Sequence, residues 1–357
     1  AREHRVERHD DDFAQGWTAG GRVNSLASSD HASVALTPPP VINRDDGEPR
    51  RVGAEIEFAG LDCEKACRLV VEHLGGRIET IDPHRFNVVD TRYGAFKVEL
   101  DTIYAHPDDW LTDFSRWSLM NDAGRQIAET VCAAVGDVSR YWVPVEIVCP
   151  PVPIAALPDL DAIVHALRAE GASGTDDSLI FAFGTQLNVE LPVVDAETVR
   201  RYVKSYLLLS DWLRRSIDPD TTRRLLPYID PFLAQYVRKV VDPAYRADLA
   251  QLIDDYLVDN ATRNRELDLL PLFAEIDADR VAAVINDKRV KARPALHYRL
   301  PDTRLSDPAW GFVREWNRWC AVERLANEPD TQRLLGEIYL RHGPAAVTER
   351  WTKYHQD

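Results

Sequence analysis

Positive charge is scarce in this sequence. Lysine and arginine total 43 against 58 aspartates and glutamates, a formal net charge of −15. Nucleic-acid binders need a basic footprint to displace counterions, and proteins that dock on anionic lipid need one too, so the balance speaks against both. The acid keeps the chain soluble and biases it towards cationic partners such as polyamines or basic peptides. Cysteine is also rare. Five residues with no CxxC pair argue against a zinc ribbon and for reduced thiols. Cys63 and Cys67 stand one helical turn apart, which suits helix packing. No apolar run approaches the ~20 residues of a membrane span. The opening AREHRVERHDDDF has no apolar signal core, and a cytoplasmic location is expected. There is no GxxxxGKS or GxxxxGKT, and no GxGxxG behind a strand, so P-loop and dinucleotide folds are set aside. Internal repeats and low-complexity tracts are missing as well.

What is present is a 357-residue chain that is 45% hydrophobic, enough for one large core or two modest ones. Residues 1–48 are polar and run into TPPPVINRDDGEPRR, which predicts a flexible or extended arm. Its apolar stretch Val34–Leu36 can pack on the body. The first strand is expected at Val52–Phe58. A helix follows at Leu61–Leu74, with Asp62 as N-cap and Gly75-Gly76 as its stop. A hairpin pairs Arg85–Asp90 with Ala95–Asp101 around Tyr93-Gly94. Beyond it come a helix at Met120–Val135, a buried strand at Val143–Val148, a helix at Leu157–Glu170 and a strand at Ile180–Leu191. After Asp195 the pattern turns helical, at Glu197–Arg215, Ala247–Val258, Leu269–Ala274 and Ala309–Leu325. One strand interrupts it, at Val290–Leu300. The spacing of Trp310, Trp316 and Trp319 reads as core packing. The sum is an α+β fold, with helices gathered on one side of antiparallel strands. One catalytic domain would span 49–326, with a helical insertion at about 195–285 and a helical tail over 327–357.

The chemistry lies in the strands, whose side chains alternate between faces. In GAEIEF, Glu55 and Glu57 share a face, opposite Ala54, Ile56 and Phe58. In KVELD, Glu99 and Asp101 do the same. Glu146 is the one acid in PVEIVCPP. Gln186, Asn188 and Glu190 align in GTQLNVEL. Lys291, Arg293, His297 and Arg299 align in VKARPALHYRLP. Carboxylates crowded on one face repel one another by roughly 3 kcal/mol per pair at ~5 Å and an effective dielectric near 20. Such a cluster persists only beside cations or with raised pKa values. Hard oxygen donors suit magnesium, or manganese, over zinc. The basic strand supplies guanidinium groups for phosphate oxygens. Acid and base on one sheet fit metal-assisted phosphoryl transfer.

Six segments, RVGAEIEFAGL, FKVELD, VPVEIVCPP, FAFGTQLNVELP, DDYLVDNATRNRELDLLPLF and KARPALHYRLPD, resemble the amidoligase family in order and spacing, from about Arg51 to about Glu323. This family is a branch of the carboxylate–amine ligases that also contains glutamine synthetase and glutamate–cysteine ligase. The resemblance implies a curved antiparallel sheet of the glutamine synthetase type, holding ATP and two or three magnesium ions at its concave face. It implies that Glu55, Glu57, Glu99 and Glu146 are metal ligands. Gln186 and Asn188 fall where relatives carry His-x-Asn, near metal and nucleotide. His297 and Arg299 fall where many carry Glu-x-Arg, the arginine touching phosphate. His297 would then be a metal ligand, although its neutrality removes one negative charge. Arg293 and Arg299 would bind and stabilise the transferring phosphoryl group, with Glu190 taking a proton from the incoming amine. Arg263 and Asn264 would bind substrate. The implied reaction joins a small-molecule or peptide carboxylate to an amine or ammonia through an acyl phosphate. A partner glutaminase and a homo-oligomer are compatible with it. The alternatives are a small-molecule phosphotransferase on the same metal–ATP site and a non-catalytic nucleotide-binding relative.

Overall fold

The computed structural model describes residues 34–100, 144–177, 183–219 and 229–355. The helix expected at Met120–Val135 and the carboxylate of Asp101 lie outside the described residues. The strands are β1 (Arg51–Phe58), β2 (Arg77–Asp82), β3 (Arg85–Thr91), β4 (Gly94–Leu100), β5 (Val145–Val148), β6 (Val152–Pro153), β7 (Thr185–Glu190), β8 (Leu267–Asp268) and β9 (Ala295–Tyr298). They form one sheet in the order β2-β3-β4-β5-β1-β7-β9-β8, with β6 on the start of β1. Among the described residues every strand pairing in it is antiparallel. The fold is α+β, as the pattern predicts.

β1 lies at the centre because both of its edges are paired, to β5 and β7. Ala54, Ile56 and Phe58 are buried in the core, while Glu55 and Glu57 on the other face are half-buried. Helix α1 (Cys63–Leu74) covers the apolar face at β3 and β4. Asp62 starts it by accepting from the Lys65 N–H at 2.7 Å, and Gly75 ends it by donating its N–H to the Val71 carbonyl at 2.8 Å. Gly76 then turns the chain into β2 at φ 93°. A Cβ there would lie 2.3 Å from the Val89 carbonyl oxygen, so only glycine fits. β2 carries no period that predicts a strand. It is a charged edge strand, RIETID, whose conformation comes from pairing with β3 rather than from an apolar period of its own.

β9 is shorter than the strand expected at Val290–Leu300. Pro294 and Pro301 bracket it, and neither can donate to a ladder. Helices α2 (Leu157–Ala169), α3 (Ala196–Ile217), α5 (Leu249–Asn260), α6 (Leu270–Ile276) and α8 (Phe312–Ala326) fall where periodicity places them. Two further helices, α4 (Ala234–Val241) and α7 (Ala278–Ala282), stand between them. Trp310, Trp316 and Trp319 are buried, as expected.

The two terminal segments are fastened to the body where described. In the N-terminal arm, Trp316 Nε1 donates to the Thr37 carbonyl at 2.9 Å and Asn317 Nδ2 to that of Ala35 at 2.8 Å. At the other end, α9 (Pro329–His342) and α10 (Pro344–His355) share the main core through Leu335, Val347 and Trp351. Gln332 Nε2 donates to Ser205 Oγ on α3 at 2.7 Å.

Candidate active site

Strand pairing turns the alternation along each strand into a two-dimensional array. Glu57 stands directly opposite Glu146, and Glu146 directly opposite Glu99. Three carboxylate-bearing residues thus form a row across β1, β5 and β4, with neighbouring Cβ atoms ~4.5–5.5 Å apart. Glu55 shares that face, two residues along β1, and stands opposite Gln186. A second row crosses the other half of the sheet, in which Gly53 faces Asn188, Asn188 faces His297, and His297 faces Asp268. The four glutamates, Asn188, Arg293 and Arg299 are half-buried, whereas Gln186, His297 and Asp268 are buried.

The two β1 carboxylates lean towards β7. Glu55 Oε1 accepts from Asn188 Nδ2 at 2.7 Å. Glu57 accepts from the Gly184 N–H at 2.8 Å and from Gln186 Nε2 at 3.3 Å. Gln186 and Asn188 are thereby hydrogen-bonded to Glu57 and Glu55. Gly184 adds a backbone donor that no residue type announces.

Three arginines gather at the β8–β9 end. Arg299 Nη1 donates to the Arg263 carbonyl, and Arg293 Nη2 lies 2.8 Å from His297 Nδ1. Asp268 is their counter-charge. Burial pushes its carboxyl up to about 6, while Arg299, the Leu270 N–H, Arg263 and Arg293 pull the other way. The Leu270 N–H bond measures 2.9 Å. Burial, and then Arg299, lower the Arg263 pKa. Burial, followed by Arg299, Arg293 and Arg263, holds His297 well below its ordinary value, so the imidazole is neutral. Three guanidinium groups beside Asp268, with Arg289 and Asp287 acting on Arg263 as well, make this end of the polar face rich in cationic donors.

Not every expected residue joins. Glu190 lies at the far end of β7, six residues from the Gly184 that touches Glu57. Its carboxylate accepts from Arg44 Nη1 at 3.0 Å and from the Arg51 N–H at 2.8 Å, so it ties the N-terminal arm down and stands apart from the glutamate row. Asn264 serves through its backbone, its carbonyl accepting from the Asp230 N–H at 2.7 Å. Lys291 is exposed.

Among the described residues, no three His, Cys, Asp or Glu side chains are close enough to hold an ion as they stand. The donor chemistry nevertheless fits a hard divalent cation. The row offers carboxylate oxygens on three adjacent strands, and the amides and N–H now bonded to Glu55 and Glu57 are ligands an ion could displace. No described helix is long and apolar enough to cross a membrane.

A family model described as putative amidoligase enzyme matches residues 48–321, which include both rows and all three arginines. No curated protein and no solved structure matches the chain.

Proposed function

Because the chain belongs to the amidoligase family, we propose that it is an ATP- and magnesium-dependent carboxylate–amine ligase working on the polar face of its sheet. The observation that carries this reading is the division of that face. A row of three glutamates lies on one side of β1, and a cluster of three arginines lies beyond β7 on the other. A nucleotide triphosphate with its cations needs both halves at once.

In the proposed reaction the substrate carboxylate attacks the γ-phosphorus of ATP. An acyl–O–P bond forms, and the bond to the β-phosphate oxygen breaks, leaving ADP. The amine or ammonia then attacks the acyl carbon, the acyl–O bond breaks, and the departing phosphate carries away the proton that the nitrogen loses. The first step is needed because a free carboxylate is a poor electrophile. Glu57, Glu146, Glu99 and Glu55 are the residues that would hold magnesium, which would supply charge neutralisation on the phosphates. Arg293 and Arg299 stabilise charge on the transferring group. Gln186 and Asn188 hold the β1 glutamates in place, and Arg263 serves the substrate carboxylate. In this scheme His297 serves through Nδ1, which lies between Asn188 and Arg293, and Glu190 ties down the N-terminal arm through Arg44 and the Arg51 N–H. The glutamine synthetase type of sheet belongs to the same proposal.

The test is an ADP-release screen over pairs of carboxylates and amines, with product analysis. Amine-dependent ADP release with an amide product is expected, and Glu57→Ala abolishes it while circular dichroism and melting remain those of a folded protein. A stable phosphorylated product without amine would point to a phosphotransferase instead. Wild-type turnover in Glu57→Ala would remove the metal assignment.

A further inference from the structure

The two halves of the site meet at one nitrogen atom. His297 Nδ1 lies 2.6 Å from Asn188 Oδ1 and 2.8 Å from Arg293 Nη2. These contacts make opposite demands. An amide oxygen can only accept, so the first requires a proton on Nδ1. A guanidinium can only donate, so the second requires a lone pair there. The Asn188 amide has no freedom to resolve the conflict. Its nitrogen donates to Glu55 Oε1 at 2.7 Å, and turning it over would set an amide oxygen against a carboxylate oxygen. A neutral imidazole carries its proton on one ring nitrogen only. One of the two contacts therefore goes unmade in either tautomer.

We infer that His297 is a positioning residue whose Nδ1 holds either Asn188 or Arg293, and that an oxyanion taken up by Arg293 settles it on Asn188. Arg293 is the partner with more to gain by leaving. Its Nε is buried and, among the described residues, has no hydrogen-bond partner, a costly condition that a two-oxygen anion relieves. A carboxylate or phosphate group fits the guanidinium edge through Nε and Nη2 together. Once Arg293 is engaged there, His297 Nδ1–H donates to Asn188 Oδ1, and Asn188 Nδ2–H donates to Glu55. The chain from imidazole to carboxylate is then fully satisfied. Occupation of the arginine half thereby fixes the Glu55 side chain in the acidic half. The inference rests on the proposed function only in taking Arg293 as an anion ligand.

The experiment follows the ring nitrogens of His297 by NMR in the full chain labelled with ¹⁵N-histidine, its signals assigned with His297→Gln. Inorganic phosphate is titrated in without nucleotide, metal or amine. Nδ1 is expected to move towards its protonated position as phosphate binds. Arg293→Ala, or Arg293→Gln should the first fold poorly, is expected to show that state without phosphate and to respond no further. Asn188→Ala should weaken phosphate binding by roughly fivefold, about 1 kcal/mol, because the released imidazole then lacks its acceptor. A tautomer indifferent to phosphate in the wild type overturns the inference, as does one that still responds in the Arg293 variants. None of these readouts needs turnover. A failed ligase screen with a shifting tautomer removes the proposed reaction alone, and the converse removes this inference alone.

Discussion

Glu57 and Glu146 face each other across adjacent antiparallel strands, and Glu99 continues the line from the far side of Glu146. Like charges directly opposite on a sheet oppose folding, so this row costs stability that the sequence could have avoided with a neutral residue. The proposed role accounts for its retention, since a divalent ion would turn repulsion into ligation. Glu146→Gln should therefore raise the melting temperature of the metal-free protein, by an amount equivalent to ~0.2–1 kcal/mol. It should also blunt the further rise that millimolar magnesium gives the wild type. Calorimetric melts with and without magnesium check both effects. A lower melting point in the variant would mean that Glu146 is a structural residue.

Away from the site, the strongest single prediction concerns Arg50 and Glu323. Their side chains are fully buried and bonded twice, at 2.7 and 2.9 Å. Tyr202 Oη and Trp319 Nε1 donate to the same carboxylate at 2.8 and 2.9 Å, while the guanidinium also reaches the carbonyls of Val41 and Glu190. This network joins the N-terminal segment, β7, α3 and α8. Glu323→Ala strands a buried guanidinium and should cost ~3–5 kcal/mol in urea unfolding. Combining it with Arg50→Met should recover much of that loss, because the unpaired charge is what is expensive.

The parts of this molecule legible in its sequence are those set by local rules. β1 with its inward apolar set and its outward pair of glutamates, α1 between Asp62 and Gly75, and the β3–β4 hairpin all follow from periodicity and caps. The residue types on the polar face were legible for the same reason. Register was not. That Glu57 meets Glu146 rather than a neighbour depends on strand pairing between segments about 90 residues apart, which no local pattern encodes. The same limit explains Glu190. Its alternation matches Gln186 and Asn188, but its distance along β7 and its bonds to Arg44 and the Arg51 N–H are tertiary facts. Asp268 appeared in sequence only as one polar residue in a charged run, and pairing with His297 is what makes it the arginines' counter-ion.

Asp161 gives the fold an unusual response to acid. It caps α8, accepting from the Phe312 and Val313 N–H groups at 2.6 and 3.3 Å. Burial nevertheless pushes its carboxyl up to about 6, with those two N–H bonds pulling the other way. The folded state thus holds this proton more tightly than the unfolded chain, whose carboxyl titrates near 3.8. Its stabilising share is complete below pH ~4 and is lost as pH rises through ~6. Between those values the stability of wild type relative to Asp161→Asn should fall with pH, by at most ~1.4 kcal/mol per unit. Urea unfolding of both proteins at several pH values measures the difference, from which the common titration of Asp268 cancels. A flat difference would show that Asp161 is ordinarily acidic.

Gly53 offers a way to disturb the site without touching a charge. It faces Asn188 in the ladder, and a Cβ built on it would lie 3.2 Å from Asn188 Cβ and 3.4 Å from Asn188 Nδ2. The backbone there is not in the left-handed region, so alanine brings no conformational strain, and a strand residue gains from losing glycine's freedom. The one neighbour that must yield is the Asn188 side chain, whose amide nitrogen holds Glu55. Gly53→Ala should therefore melt within a few degrees of wild type yet lose turnover, by roughly tenfold if the Glu55 carboxylate is displaced by a few tenths of an ångström. Kinetics and melting on the same preparation separate the two effects. If activity and stability fell together, the glycine would be serving the packing of β1 on β7, and the Asn188–Glu55 bond would have no special place in the reaction.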